Sequence, residues 1–302
     1  MNRDRLHIIF VHKGNQEYLK YILNQTQKEN PRVIIDLIGD ESNDRYEFIN
    51  HFFLEEYFSG AKEFAKKYIH LSTNKYEYEL FCIQRWFIIR DFVLKNNIEK
   101  FVYLDSDVLI YVNLEEEAEK FKNFDIAITT ETCPSFWNSS DSIVKFCDFV
   151  SNIYSKEDAI YYQKLINFSE NYKKKSKLGG VCDLTLFSLY KNSNNTNIGE
   201  TNKFADDWVY DDNFSSEKVG PFEFKKKYGV KKIIWIKNIP FGILKNGRKI
   251  RFKCLHLQGR TKVYAEQIFL HKEIPFNFLY FLKRIGVGWM YHRIKLIYAK
   301  QF

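Results

Sequence analysis

Asp105 and Asp107 flank Ser106 at the end of the apolar run FVYL at 101–104. In an extended segment the side chains of residues i and i+2 project to the same face. The two carboxylates can therefore converge on one cation, while Ser106 faces the other way and is assigned with them to donor binding. Two aspartates at the end of a buried strand set like charges against each other, and a divalent cation removes that cost while gathering phosphate oxygens. The bland alternative is a strand-to-turn transition with solvated carboxylates. Far downstream, the run 252–257 delivers His256, followed in an H-x-x-G-x-x-K spacing by Gly259 and Lys262. A neutral imidazole completes an oxygen-rich coordination shell, glycine lets the backbone approach a phosphate, and the lysine neutralises a diphosphate. The expected metal ligands are Asp105, Asp107 and His256. Mixed oxygen and imidazole ligation suits Mn²⁺ better than Mg²⁺. A cation and fixed donors that take up charge on a departing phosphate would stabilise the transition state of a transfer reaction.

Positioning these residues requires a sheet. Residues 6–11 (LHIIFV) and 33–38 (VIIDLI) are short apolar runs ending in polar loops, Lys13-Gly14-Asn15 after the first and Gly39-Asp40 after the second. Buried strands alternating with helical patterns predict a parallel sheet, with ligands met at the carboxyl ends of the strands. Lys13, Gly14, Asn15 and Asp40 are so placed to meet a nucleoside. Residues 76–94 repeat apolar side chains with a helical period, and Arg85 falls inside that stripe. It needs an anion there, from donor phosphates or from an aspartate, unless it snorkels at a helix edge. Further strands are expected at 101–104, 108–112, 124–129, 233–236 and 252–257, a mostly helical stretch at 143–163, and a polar loop at 192–203. Gly179 and Gly180 permit close backbone approach to a sugar. Asp183 follows either as a helix N-cap or as a functional carboxylate, the candidate catalytic group. The acidic cluster Asp206, Asp207, Asp211 and Asp212 carries the same ambiguity.

An apolar strand ending in D-x-D, preceded by an Arg-bearing helix and followed by H-x-x-G-x-x-K, resembles family 8 and related GT-A glycosyltransferases, including glycogenin and bacterial lipopolysaccharide galactosyltransferases. The resemblance is carried by the D-x-D and the HLQGRTK segment, in which Val263-Tyr264 stands where the family often has Pro-Trp. It implies a Rossmann-like α/β domain with a mostly parallel central sheet and flanking helices. It further implies a UDP-sugar donor whose diphosphate is held by Mn²⁺ on Asp105, Asp107 and His256 and contacted by Gly259 and Lys262, and transfer with retention of configuration.

The chain has 302 residues, 45% hydrophobic and 28% charged, with a formal net charge of +8. This composition belongs to globular chains and excludes disorder. Domain organisation is expected to be a single domain, 1–274, with a tail, 275–302. The tail mixes aromatic and aliphatic residues with Lys283, Arg284, Arg293, Lys295 and Lys300 and has no acidic residue. It reads as an interfacial segment held against anionic lipid, or as a terminal helix packed on the core. A saccharide or lipid-linked glycan acceptor in surface polysaccharide synthesis follows. Five scattered cysteines without a CxxC pair and a short N-terminal apolar stretch predict a cytoplasmic enzyme, peripheral on the inner face of the membrane. A phosphatase of the haloacid dehalogenase type would use a strand and D-x-D with Mg²⁺, but gives His256, Gly259 and Lys262 nothing to do. A basic binding protein is the other alternative, although no nucleic-acid-binding signature is present and no nucleic-acid partner is expected.

Overall fold

The computed structural model describes residues 5–129, 132–175, 179–193, 196–201, 207–216, 221–225 and 229–274. The tail at 275–302 and Asp206 lie outside the described residues. In chain order the elements are β1 (His7–Val11), α1 (Tyr18–Glu29), β2 (Ile34–Gly39), β3 (Asn50–Phe53), α2 (Ser59–Lys67), α3 (Tyr76–Lys95), β4 (Phe101–Tyr103), β5 (Val108–Ile110), α4 (Leu114–Lys120), β6 (Ile126–Ile128), β7 (Ser135–Trp137), α5 (Ser140–Tyr154), α6 (Ala159–Lys174), α7 (Asp183–Lys191), β8 (Ile198–Glu200), β9 (Trp208–Tyr210), β10 (Phe224–Lys225), β11 (Val230–Lys231), β12 (Ile233–Ile236), β13 (Ile239–Ile243), β14 (Lys249–His256) and α8 (Ala265–Phe269). They form two compact units, the first from described residues within 1–16, 30–106 and 113–202, the second from those within 17–29, 107–112 and 203–274.

The first unit is a mixed α/β layer structure around a mostly parallel sheet of order β3-β2-β1-β4-β7-β6-β8. Strands β3, β2, β1 and β4 run parallel, so their carboxyl ends share one edge. Only β7 opposes them, pairing antiparallel with β4 and β6. Ile9, Val11, Phe101 and Tyr103 on one sheet face pack with Trp86, Ile89 and Phe92 of α3, Phe146 of α5 and Phe187 of α7. The Phe146 and Phe187 rings stack at 4.0 Å. Helix α3 buries Ile83, Trp86, Phe87, Ile88, Ile89, Phe92 and Val93, so it is apolar on most of its circumference, as befits a core helix.

Three expectations change. The 143–163 stretch is two helices, α5 and α6, separated where Lys156 turns left-handed (φ 62°) and the Asp158 side chain caps α6 by accepting from the Tyr161 amide. The polar 192–203 segment contains β8, whose backbone pairs with β6 in parallel whatever its side chains. Asp183 is not an N-cap; Cys182 occupies that position and Asp183 begins α7.

In the second unit β14 is central. Strand β9 runs parallel along one of its edges, and β13 and β5 share the other, both antiparallel. The ladder sets His256 opposite Val108, and the Leu257 amide donates to the Asp107 carbonyl at 2.9 Å. Helix α1 meets α8 through the rings of Tyr21 and Phe269 and anchors to β5 by the Gln25 amide on the Ile110 carbonyl, 3.0 Å. Among the described residues no helix is long and apolar enough to cross a membrane.

Candidate functional site

In the first unit the candidate side chains gather at the carboxyl ends of β1, β2 and β4. Arg85 is held inside α3 with 18% of its side chain exposed and reaches two carboxylates. Its Nη1 donates to Asp105 Oδ1 at 2.5 Å and to the Tyr103 hydroxyl at 2.9 Å, and its Nη2 donates to Asp183 Oδ2 at 2.8 Å. Trp86 Nε1 adds a bond to the same Asp183 oxygen, 3.2 Å, and the Tyr103 hydroxyl donates to Asp105 Oδ1 at 2.6 Å. Burial alone would push the Arg85 guanidinium down, but Tyr103, Asp105 and Asp183 outweigh it and hold the cation firmly protonated. Burial pushes the Tyr103 hydroxyl up, so it stays a donor. The anion that Arg85 requires is thus supplied by two aspartates, and Asp183 is a fixed, charge-paired group.

This pairing predicts a stability effect. Arg85→Met leaves the partly exposed Asp105 and the buried Asp183 without their cation and is expected to cost about 2 kcal/mol in urea unfolding, most of it at Asp183 because Asp105 keeps some water. Arg85→Lys keeps the charge but not the fork that spans two carboxylates, and should recover only part of the loss. A Met variant as stable as the wild type would show that neither carboxylate depends on Arg85.

The loops after β1 and β2 are tied to each other. The Gly14 amide donates to Asp40 Oδ2 at 2.6 Å, and Asp40 also caps the short turn that follows it by accepting from the Ser42 amide. Burial pushes the Asp40 carboxyl up, but the bonds from Ser42 and Gly14 outweigh it and hold it lower than usual. Asn43, fully buried, donates to the His12 and Gly14 carbonyls and accepts from His51 Nε2 and the Asp40 amide. The Asn15 side chain meets the Tyr46 hydroxyl at 2.8 Å, and Lys13 lies over the Phe58 and Phe81 rings. His12 bridges Ser106 Oγ (2.7 Å) and Gln16 Oε1 (2.5 Å), so the residue between the two aspartates is anchored to the β1 loop. Gly179 and Gly180 abut the 71–73 backbone. Gly180 has φ +153°, and a Cβ there would lie 2.4 Å from the Leu71 carbonyl oxygen. The close approach of this glycine is to Leu71 and Ser72.

In the second unit Asp107 is the meeting point. Its Oδ1 lies 3.3 Å from His256 Nε2 and its Oδ2 3.0 Å from Lys262 Nζ. Burial pushes the Asp107 carboxyl up, but the imidazole and the ammonium outweigh it and hold it well below the usual carboxylate range. It is therefore ionised at neutral pH. His256 is fixed by its strand and by its own amide, which donates to Asp211 Oδ2 at 3.2 Å. Gly259 turns left-handed (φ +61°), with open space where a Cβ would be, so this turn favours glycine for its backbone alone. Beyond it Lys262 returns to Asp107 with its ammonium over the Tyr18 ring.

Several contributors were not foreseen from sequence. Tyr103 carried a usable signal, since it precedes Asp105 by one strand period and must share its face. Asp211 belonged to the acidic cluster, but its buried ion pair with Lys231 had no signal, and neither did Trp86, Asn43 or His12. Asp207 is exposed and pairs with Arg248 at 3.0 Å.

No family model matches the chain, and no curated protein matches it. Among solved structures it is similar to mouse xyloside xylosyltransferase 1 in its apo form, with 13% identity, 66% of this chain and 85% of that one covered, and a TM-score of 0.43. It is also similar to the galactosyltransferase LgtC in complex with donor and acceptor sugar analogues, with 13% identity, 65% and 73% covered, and a TM-score of 0.38. A third likeness is to the PaToxG glycosyltransferase, with 17% identity, 63% and 70% covered, and a TM-score of 0.36.

Proposed function

We propose that this chain is a metal-dependent glycosyltransferase of the GT-A kind, moving a sugar from a nucleotide-diphosphate donor to a saccharide or lipid-linked glycan acceptor. The observation that carries the reading is Asp107, an ionised carboxylate set between the His256 imidazole and the Lys262 ammonium. This donor set fits a divalent cation of the Mn²⁺ or Mg²⁺ type: a carboxylate oxygen and an imidazole nitrogen already face each other, and the chain carries the second carboxylate, Asp105, two residues away. Asp105, Asp107 and His256 are the proposed ligands. When bound, the cation would stabilise the negative charge that builds on the diphosphate leaving group.

The chain's own residues do the remainder. Lys262 is a point charge beside Asp107, suited to engage a donor phosphate, and the Gly259 turn leaves its backbone open to approach. Arg85 and Tyr103 hold Asp105 in one orientation, and His12 holds Ser106, so the D-x-D segment is preorganised. Lys13, Gly14, Asn15 and Asp40 would receive the nucleoside, for which uridine is the proposed base. Gly179, Gly180 and Asp183 would border the donor sugar. Asp183 is charge-paired with Arg85, which suits a group that orients the sugar better than one that takes up a proton, and so favours transfer with retention. The basic tail at 275–302 is proposed to hold the enzyme on anionic lipid near its acceptor, in surface polysaccharide synthesis.

The test is isothermal titration with a panel of nucleotide diphosphates and nucleotide sugars, in Mn²⁺ and in chelator, on the wild type and Asp107→Ala. Metal-dependent binding of one nucleotide, lost in the variant, is expected. If no nucleotide binds in Mn²⁺, the proposal fails.

A further inference from the structure

At the opposite edge of the seven-stranded sheet, where β1, β2 and β3 begin, the first unit contains a cavity of about 470 Å³. That is within the range of small-molecule sites, roughly 300–1,000 Å³. Its polar wall is built around Asp36, a carboxylate with 1% exposure in the middle of the otherwise apolar strand β2. Asp36 Oδ2 lies 2.6 Å from His7 Nδ1, and its Oδ1 accepts from Asn50 Nδ2 at 3.0 Å. Phe52 and Phe92, edge to face at 4.8 Å, form the apolar wall, and Glu99 and Arg5 also line the cavity. The Arg5 guanidinium is tied back to the Arg32 carbonyl.

A buried carboxylate is costly, and an apolar residue would serve strand β2 at least as well. What the carboxylate does achieve is orientation. In the neutral form of the ring, a carboxylate that takes the Nδ1 proton leaves Nε2 as an acceptor, and by taking one Asn50 amide proton it turns that side chain so that its carbonyl oxygen is left over. Two acceptors, held by one buried anion, thus border a cavity with aromatic walls and a carboxylate at Glu99.

We propose that this cavity is a second ligand site, distinct from the D-x-D region, which takes a small aromatic or heteroaromatic molecule presenting N–H donors, such as an amino-substituted ring. Ring faces would pack on Phe52 and Phe92, and the amino edge would meet His7 Nε2 and the Asn50 carbonyl.

The experiment is saturation-transfer NMR with adenine, cytosine and tyramine as probes at ~1 mM, the affinity scale of fragment-sized ligands, together with ring ¹⁵N shifts of labelled histidine. At least one probe is expected to receive saturation and to move His7 Nε2, and UDP should not displace it. His7→Phe and Asp36→Leu should each weaken that probe ~10-fold or more, since both remove the oriented acceptor. His7→Gln, which restores an acceptor, should keep part of the binding if the other two variants fold poorly. The proposal is overturned if no probe receives saturation, if transfer persists undiminished in His7→Phe, or if UDP displaces the probe. None of these outcomes depends on whether the chain transfers sugars.

Discussion

Asp107→Asn is expected to lower sugar transfer by about 10³-fold or more, which corresponds to about 4 kcal/mol of lost transition-state stabilisation. The substitution keeps the volume and a carbonyl oxygen, so the fold should be preserved by circular dichroism. It removes the charge that His256 and Lys262 together hold on this side chain. A neutral amide is a poor ligand for a hard divalent cation, and it gives Lys262 nothing to balance. Two readouts should move together: the maximal rate with a UDP-sugar, and the affinity for Mn²⁺ measured by electron paramagnetic resonance. A fall of less than about tenfold in rate would sink the central role given to Asp107, because one lost metal ligand is expected to exceed the 10- to 100-fold loss common for residues that merely orient ligands. A large rate loss with unchanged Mn²⁺ affinity would move Asp107 from the cation to the substrate.

The parts of this site that were legible in the sequence are those fixed by local periodicity. Strands β1, β2, β4 and β5 are buried on both faces, so they are written as apolar runs, interrupted inside β2 by Asp36 and opened in β1 by His7, and the polar residues after them mark the strand ends. Asp105 and Asp107 were paired as if the strand ran on through them, whereas β4 ends at Tyr103 and Ser106 and Asp107 form the turn into β5; His256 was singled out by its place at the end of a long strand. Strands β3 and β7 went unseen for opposite reasons. β3 is a half-exposed edge strand of sequence NHFF, with too little pattern to notice, and β7 is three residues that acquire their conformation from β4 and β6. Contacts that join distant segments left no local trace. Arg85 was recognised as a cation in an apolar stripe in need of an anion, yet only the packing of α7 beside α3 makes Asp183 that anion. Asp36 shows the reverse: a charged residue passed as part of an apolar strand because its partners, His7 and Asn50, come from neighbouring strands.

Lys231→Met should produce the largest loss of stability, about 3–5 kcal/mol, which in a chain of this size is roughly a 10 °C fall in melting temperature. Lys231 and Asp211 form an ion pair in which both side chains are 0% exposed. The ammonium also donates to the Asn213 carbonyl at 2.9 Å, and the second carboxylate oxygen accepts from the His256 amide. Removing the lysine leaves an ionised carboxylate in the core without a counter-charge, and removing the aspartate strands the ammonium in the same way. The double variant Lys231→Met/Asp211→Asn should therefore be markedly more stable than the sum of its single losses predicts, because the asparagine oxygen still accepts from His256 while no charge remains buried. Tryptophan fluorescence in a denaturant series gives all four corners of that cycle. Additive losses would mean that the pair contributes nothing as a pair, and that the segment is held by its strands alone. A strong coupling would make Asp211 and Lys231 the buried anchor that fixes the end of β14, and with it the imidazole that faces Asp107.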